Sequence, residues 1–327
     1  MSYSATKKSR LILVAVGGNA LIRPGQKGTA GQQFENAMDT AGVVVQLIKA
    51  GFRVVLTHGN GPQVGAALAR SELSASAVYR MPYDCCVAGT QGEIGYVLQY
   101  SLWQMFQKEG LRVPVVSLIT QVRVDKADPA FLHPSKPVGP YYPKETADRY
   151  AGELGWTMMH DPERGYRRIV PSPEPKEIVE LEAIRACVDR GLVVIAAGGG
   201  GVPVFNDHDI TKGVEAVIDK DFTSALLAAE LHADVFAIDT GEPYVYLDYH
   251  KATQRALLQI SDDECRQHLA DHQFPEGSMG PKIQAALQYL ENGGDQVVIT
   301  DNEHLLGAVQ GGAGTHIYSS HEMLEWR

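Results

Sequence analysis

The sequence predicts an α/β fold built on a mainly parallel sheet with helices on both faces. Two observations carry that expectation: short β-branched apolar runs recur along the chain, and most of them lead through small or polar residues into a helical pattern. Strands that alternate with helices pair in parallel through crossovers, and a sheet covered on both faces reads as continuous apolar runs.

The elements follow in order. LILVAV (11–16) is the first expected strand and ends in GGNA (17–20), with a helix over roughly 31–50. RVVLT (53–57) ends in HGNGPQVG (58–65), and helices are expected over 62–76 and 90–109. VPVVSLIT (113–120) is the third strand. Residues 121–176 then break the rhythm, because they hold nine of the 17 prolines. Proline at that density prevents a continuous helix or a central strand. The segment reads either as a surface excursion without a role or as a small lid subdomain inserted in a single domain spanning 1–327. Beyond it come a helix over 177–190, the strand LVVIAA (192–197), the turn GGGG (198–201) and a helix over 219–232. The strand DVFAI (234–238), the turn GSMGPK (277–282), a helix over 281–292 and the strand QVVIT (296–300) complete the pattern.

With 327 residues, 44% of them hydrophobic, the chain can bury a substantial core. Its formal net charge of −10 argues against a nucleic-acid or anionic-membrane surface, which needs a basic face. Cys85, Cys86, Cys187 and Cys265 have neither the spacing of a disulfide framework nor that of a zinc site. The start KKSRLILVAVGG imitates a signal peptide, but its apolar run is too short for one, and no run approaches a membrane span. A cytoplasmic protein is expected.

Three glycine-bearing turns, at 17–20, 58–65 and 198–201, follow expected strands and so lie at the carboxyl edge of the sheet, where open α/β sheets bind ligands. Such turns present successive backbone N–H groups to anions, and a following helix adds the positive end of its dipole. Gly59, Gly61 and Gly65 imitate a dinucleotide fingerprint, yet no second strand with a terminal acid follows; Walker A and protein kinase motifs are also absent. Four glycines in a row at 198–201 imply that something approaches this backbone closely. Two lysines stand out among the turns. Lys220 sits between Asp219 and Asp221 at a helix start, where acidic residues ordinarily serve as caps, and Lys282 opens the helix after GSMGP. A lysine is unfavourable at a helix N-terminus unless an anion sits there too.

Taken together, AVGGNAL, THGNGPQVG, CVAGTQGEIGY, TQVRVDKADPAF, HPSKPVGPYY, GYRRIVPSPEPKEIVE, GGGGVPV, GVEAVIDKD and GSMGPKIQAAL resemble the carbamate kinases of the amino acid kinase superfamily, in the family's order and from about 11 to 318. The resemblance implies a three-layer αβα sandwich with carbamate over the N-terminal half and nucleotide over the C-terminal half. It implies that 121–176 is a protruding lid carrying Lys136 to the substrate, and that the protein is a homodimer. The implied reaction is reversible Mg2+-dependent phosphoryl transfer between ATP and carbamate, giving ADP and carbamoyl phosphate, within arginine, agmatine or ureide catabolism. Lys220 and Lys282 would lie along the transferring group, with Asp221 holding both. Gly17, Gly18 and Asn19 would donate to phosphoryl oxygens, and Gly59, Asn60 and Gly61 would cradle the carbamate. Gly198, Gly199 and Gly200 would form one wall, while Asp219, Tyr249, Gly277, Ser278, Met279 and Lys282 would serve the nucleotide. No residue is assigned as a metal ligand, since Mg2+ leans on substrate phosphates and water.

One segment departs from the family. In DTGEPYVYLDYHKATQ, Glu242 and Pro243 replace the usual VD or VE pair and His250 stands where glycine is common, while Tyr249 keeps the tyrosine. This keeps open a catalytically weak sensor of carbamoyl phosphate or nucleotide; a kinase acting on another small carbamate or carboxylate is a second alternative, because carbamate is so small that a few side chains in the lid decide the acceptor.

Overall fold

A computed structural model describes residues 9–208 and 210–320, with the side chain of Asn19 left aside; Lys7 and Lys8 of the basic start and the ends of the expected 1–327 domain lie outside the described residues. The main sheet contains β1 (Leu11–Val16), β2 (Arg53–His58), β3 (Val115–Ser117), β4 (Val193–Ile195), β5 (Val235–Asp239), β6 (Gln259–Ser261), β7 (Val297–Thr300) and β8 (Thr315–Tyr318). Their spatial order is β6-β8-β7-β5-β1-β2-β4-β3, and every neighbouring pair is parallel except β7 with β8.

Alternation along β1 explains the three layers. Leu11, Leu13 and Ala15 point into a core shared with α5 (Leu181–Asp189), α6 (Lys220–Glu230) and α8 (Met279–Glu291). Ile12, Val14 and Val16 point to the other face, against α1 (Ala30–Lys49), α3 (Tyr83–Lys108) and α9 (Leu305–Val309). All six residues of β1 are buried, which is why this strand reads as an unbroken apolar run. Each buried Leu, Ile or Val side chain among them contributes roughly 1.5–3 kcal/mol. The expected αβα sandwich is therefore the observed one.

The chain leaves β1 toward β2 on one side, while β5 takes the other side of β1 and leads on to β7. The sheet thus switches direction between β1 and β5, and in open α/β sheets the ligand crevice lies at the carboxyl ends of such strands.

Several boundaries differ from expectation. The run 113–120 is ordered as a strand only over Val115–Ser117, because the chain then turns to pair Gln121–Arg123 with Val202–Val204 in a second sheet. The helix expected over 177–190 starts at Leu181; Glu177 and Ile178 instead pair antiparallel with Arg123 and Val122. The Glu180 carboxylate explains the delay, since it accepts the Gln121 N–H at 2.7 Å and the Gln121 side-chain amide at 2.8 Å. The helix expected from 90 begins at Tyr83, directly after Pro82. The proline-rich segment carries more order than composition suggests. It contains α4 (Lys144–Leu154) and a three-stranded sheet of Lys136–Tyr142, Gly165–Val170 and Thr157–Asp161 in that spatial order. Its prolines respect the rule nonetheless: Pro137 and Pro140 lie in an edge strand, Pro143 precedes α4, and the central strand has none.

Candidate active site

Five chain segments meet at the carboxyl edge: the turns after β1, β2 and β4, and the starts of α6 and α8. The lysines come from the two helix starts. The Lys220 ammonium lies 2.8 Å from Asp221 Oδ1 and the Lys282 ammonium 2.8 Å from Asp221 Oδ2, so one carboxylate holds both. All three side chains are largely buried, at 13%, 14% and 7% exposure. Burial alone would raise the Asp221 pKa, but the two ammonium groups outweigh it and hold the carboxyl far below the usual range. The triad therefore carries a net positive charge at two helix N-termini, a place suited to a phosphate.

Asp219 is the N-cap of α6: its Oδ1 accepts the Asp221 N–H at 3.1 Å while its Oδ2 pairs with Lys136 at 3.0 Å. Lys136, the first residue of the three-stranded sheet, is thereby tied to the start of the lysine helix. Lys220 also faces the second turn, since a Cβ on Gly59 would stand in ordinary contact, 3.7 Å from both the Lys220 stem and the Gly18 Cα. Asn60 is buried and donates to Thr90 at 2.9 Å, and Gly61 starts α2 (Gly61–Ser74) beside it.

The four glycines receive a different explanation from the one their sequence suggests. What comes close to them is the protein itself. A Cβ on Gly198 would stand 2.4 Å from the His58 ring, one on Gly199 2.2 Å from the Asn60 amide, one on Gly200 2.2 Å from the Ile218 carbonyl and one on Gly201 2.2 Å from Val122. Gly199, Gly200 and Gly201 also have φ of +67°, +88° and +87°, which favours glycine. The Gly200 N–H is used by the Ala197 carbonyl at 3.1 Å. Gln91 fastens the turn from α3, donating to the Gly198 and Thr120 carbonyls at 3.0 and 3.1 Å and accepting from the Thr120 N–H at 2.7 Å.

Of the residues expected to serve the nucleotide, Tyr249, Ser278 and Met279 line one cleft of about 180 Å3 together with Thr240, Glu242 and Tyr246. Tyr249 donates to Glu242 at 2.7 Å and stacks on Tyr246 at 5.8 Å, so Glu242, which departs from the family pattern, is part of this cleft. Gly277 lies in the exposed turn before α8. A larger cavity of about 880 Å3 is lined by Gly17, Gly18, Asp239, Thr240, Lys282 and Asp301 among others. Gly17 and Gly18 thus border this cavity together with Lys282, and only at Gly18 would a Cβ meet open space; the Asn19 side chain is outside the described residues.

Sequence reasoning missed Gln91 and Asp239. Gln91 lies within CVAGTQGEIGY, but a helical glutamine has no local sign of its partners. Asp239 looks like the polar end of a strand; folded, its Oδ2 accepts the Gly17 N–H at 2.9 Å. His58 and Asp239 are shifted in opposite senses by the same cause. Burial lowers His58 to about 4, helped by Lys220 and opposed by the Gly59 carbonyl. Burial raises Asp239 to about 6 against the Gly17 N–H and both lysines. The His58 contribution to stability is complete above its unfolded value of 6.5 and is lost as pH falls toward 4. The Asp239 contribution runs the other way, present below 3.8 and lost as pH rises through about 6. In urea titrations His58→Gln should therefore recover on the order of 2–3 kcal/mol relative to wild type between pH 7.5 and 4.5. An unchanged gap would mean that His58 is not held neutral by its surroundings.

Comparison with known proteins agrees with this geometry. The profile of the amino acid kinase family matches residues 10–301. The chain is 44% identical to carbamate kinase of Thermococcus kodakarensis, over 94% of this chain and 98% of that one. It belongs to the carbamate kinases of the amino acid kinase family. Carbamate kinase 3 of Staphylococcus aureus is 45% identical over the same shares, 94% and 98%. The solved structure of carbamate kinase from Giardia lamblia bound to AMP-PNP superposes with a TM-score of 0.92 at 36% identity, covering 95% of this chain and 99% of that one. Among the described residues no helix is long and apolar enough to cross a membrane.

Proposed function

We propose that the protein is a carbamate kinase, transferring a phosphoryl group reversibly between ATP and carbamate with release of ADP and carbamoyl phosphate. The observation that carries this reading is the single buried carboxylate of Asp221 bridging Lys220 and Lys282 at two converging helix starts. Phosphoryl transfer has a loose transition state with charge on its equatorial oxygens, so it needs positioned cations and N–H donors and no covalent nucleophile.

Lys282, beside the large cavity, serves the nucleotide phosphates, and Lys220, against the Gly59 turn, serves the acceptor side. Gly17 and Gly18 border the phosphoryl group, Gly59, Asn60 and Gly61 border the carbamate, and the tyrosine-lined cleft takes the base. Lys136 reaches the substrate from the three-stranded unit, which acts as a lid, and its bond to Asp219 is the resting partner it exchanges for substrate. Bound with the nucleotide, Mg2+ would supply positive charge to offset that developing on the transferring phosphates. Among the described residues no group of three or more His, Cys, Asp or Glu gathers around one point. A homodimer and a cytoplasmic setting complete the reading. The dimer is supported by an aromatic face on α3, where Tyr96 and Trp103 are 60% and 55% exposed beside the edge strand β3.

One assay tests the proposal: ATP formation from ADP and carbamoyl phosphate with Mg2+. Robust turnover is expected. Binding of nucleotide without turnover would make the protein a sensor, and turnover only with another acceptor would make it a kinase of a different carbamate or carboxylate.

A further inference from the structure

Asp239 stands in an unusual place. It ends β5 at the point where the sheet switches direction, and Ala15 of β1 lies opposite Ile238, which brings Gly17 alongside. Gly17 approaches so closely that a Cβ there would stand 3.0 Å from the Asp239 carbonyl and 3.2 Å from its Oδ2. Asp239 as a whole is only 6% exposed, yet it lines the large cavity with Gly18 and Lys282. Both lysines of the site bond to Asp221 instead. An anion thus holds a backbone donor at the mouth of a cleft whose cations are arranged for another anion.

We propose that Asp239 occupies the Gly17 N–H in the free enzyme and yields it when the γ-phosphate of the nucleotide arrives, so that binding of that phosphate is coupled to charge at position 239. This rests on the reading of the cavity as the phosphoryl-transfer site. A carboxylate and a phosphoryl oxygen repel across a short distance in a partly dry cleft. The repulsion is relieved when Asp239 takes one proton from solvent; its carboxylic acid then presents an O–H that donates to the incoming oxygen. The groups facing it are Lys220 from α6, Lys282 from α8 and Asp301 after β7, while β1 contributes only the N–H. Arg23, Asp39 and Glu303 line the same cavity. Because burial raises Asp239 to about 6, the proton is taken up in an accessible range. A state that must be protonated becomes scarcer by up to about tenfold per pH unit above that point.

The test compares affinities for AMP-PNP and ADP by calorimetry between pH 6 and 8, since only AMP-PNP carries a γ-phosphate. Saturating Mg2+ keeps both nucleotides ionised across this range, so that their ratio cancels effects on the rest of the nucleotide site. In the wild-type protein, AMP-PNP should weaken relative to ADP by about tenfold or more as pH rises across this range. Asp239→Asn keeps an acceptor for Gly17 and removes the charge, so it should flatten that profile and raise the AMP-PNP to ADP ratio at pH 8 by about tenfold. A flat ratio in the wild-type protein overturns the proposal without any variant. A ratio in Asp239→Asn that keeps the wild-type slope overturns it as well, leaving Asp239 a structural acceptor. Binding of neither nucleotide by the wild-type protein overturns the underlying reading of the site, a result separate from the other two.

Discussion

Lys220→Ala and Lys282→Ala are each expected to lower turnover by on the order of 10²–10³ while the protein stays folded, because each removes one positioned cation from the transferring group. The geometry explains why activity and stability separate. Removing one partner of a buried ion pair is ordinarily costly because it strands the other charge. Here Asp221 keeps a second ammonium at 2.8 Å whichever lysine is removed, so no buried carboxylate is left alone. What changes is the charge of the triad, which falls from net positive to neutral at the place meant for a phosphate. The two variants should differ in kind. Lys220 lies beside the Gly59 turn, so its loss should raise the KM for carbamoyl phosphate more than that for ADP; Lys282 lines the nucleotide cavity, so its loss should do the reverse. Steady-state kinetics of ATP formation and a thermal melt of each variant check both statements. Turnover near wild type in either variant would remove these lysines from the chemistry.

Much of the fold was legible because its signal is local. Strand β1 is buried along its whole length and reads as an unbroken apolar run, whereas a helix start is marked by what stands at its cap. The lysine site was legible for a different reason. Lysines at helix starts are locally unfavourable, and an unfavourable residue calls for a partner. What the sequence hid are contacts between distant residues that violate no local rule. Asp239 is a normal end for a strand, and its bond to Gly17 spans 222 positions. Gln91 is a normal helical residue whose amide reaches Gly198, 107 positions away. The late start of α5 has the same origin, since Glu180 is drawn to Gln121. In each case a tertiary hydrogen bond decides, and no window of neighbouring residues contains both partners.

The glycine run yields the other large effect, and position decides whether it falls on activity or on folding. Gly200→Ala should be severely destabilising, because the new methyl group would meet the Ile218 carbonyl, a backbone atom, at 2.2 Å and the residue would have to hold φ +88°. Left-handed strain and overpacking together cost on the order of 3 kcal/mol. The displaced backbone leads directly into Asp219 and Lys220, so activity would fall with stability. Gly199→Ala meets a side chain instead: the Asn60 amide, 2.2 Å from the added carbon, can swing away at the expense of its bond to Thr90. Strain at φ +67° remains, of order 1 kcal/mol. Its fold should therefore survive while turnover drops steeply, since Asn60 belongs to the turn expected to hold the carbamate. Urea denaturation and kcat measured on the same preparations separate the cases. Equal loss of stability in the two variants, with full activity per folded molecule for Gly199→Ala, would reduce the run to a tight turn and release Asn60 from the substrate site.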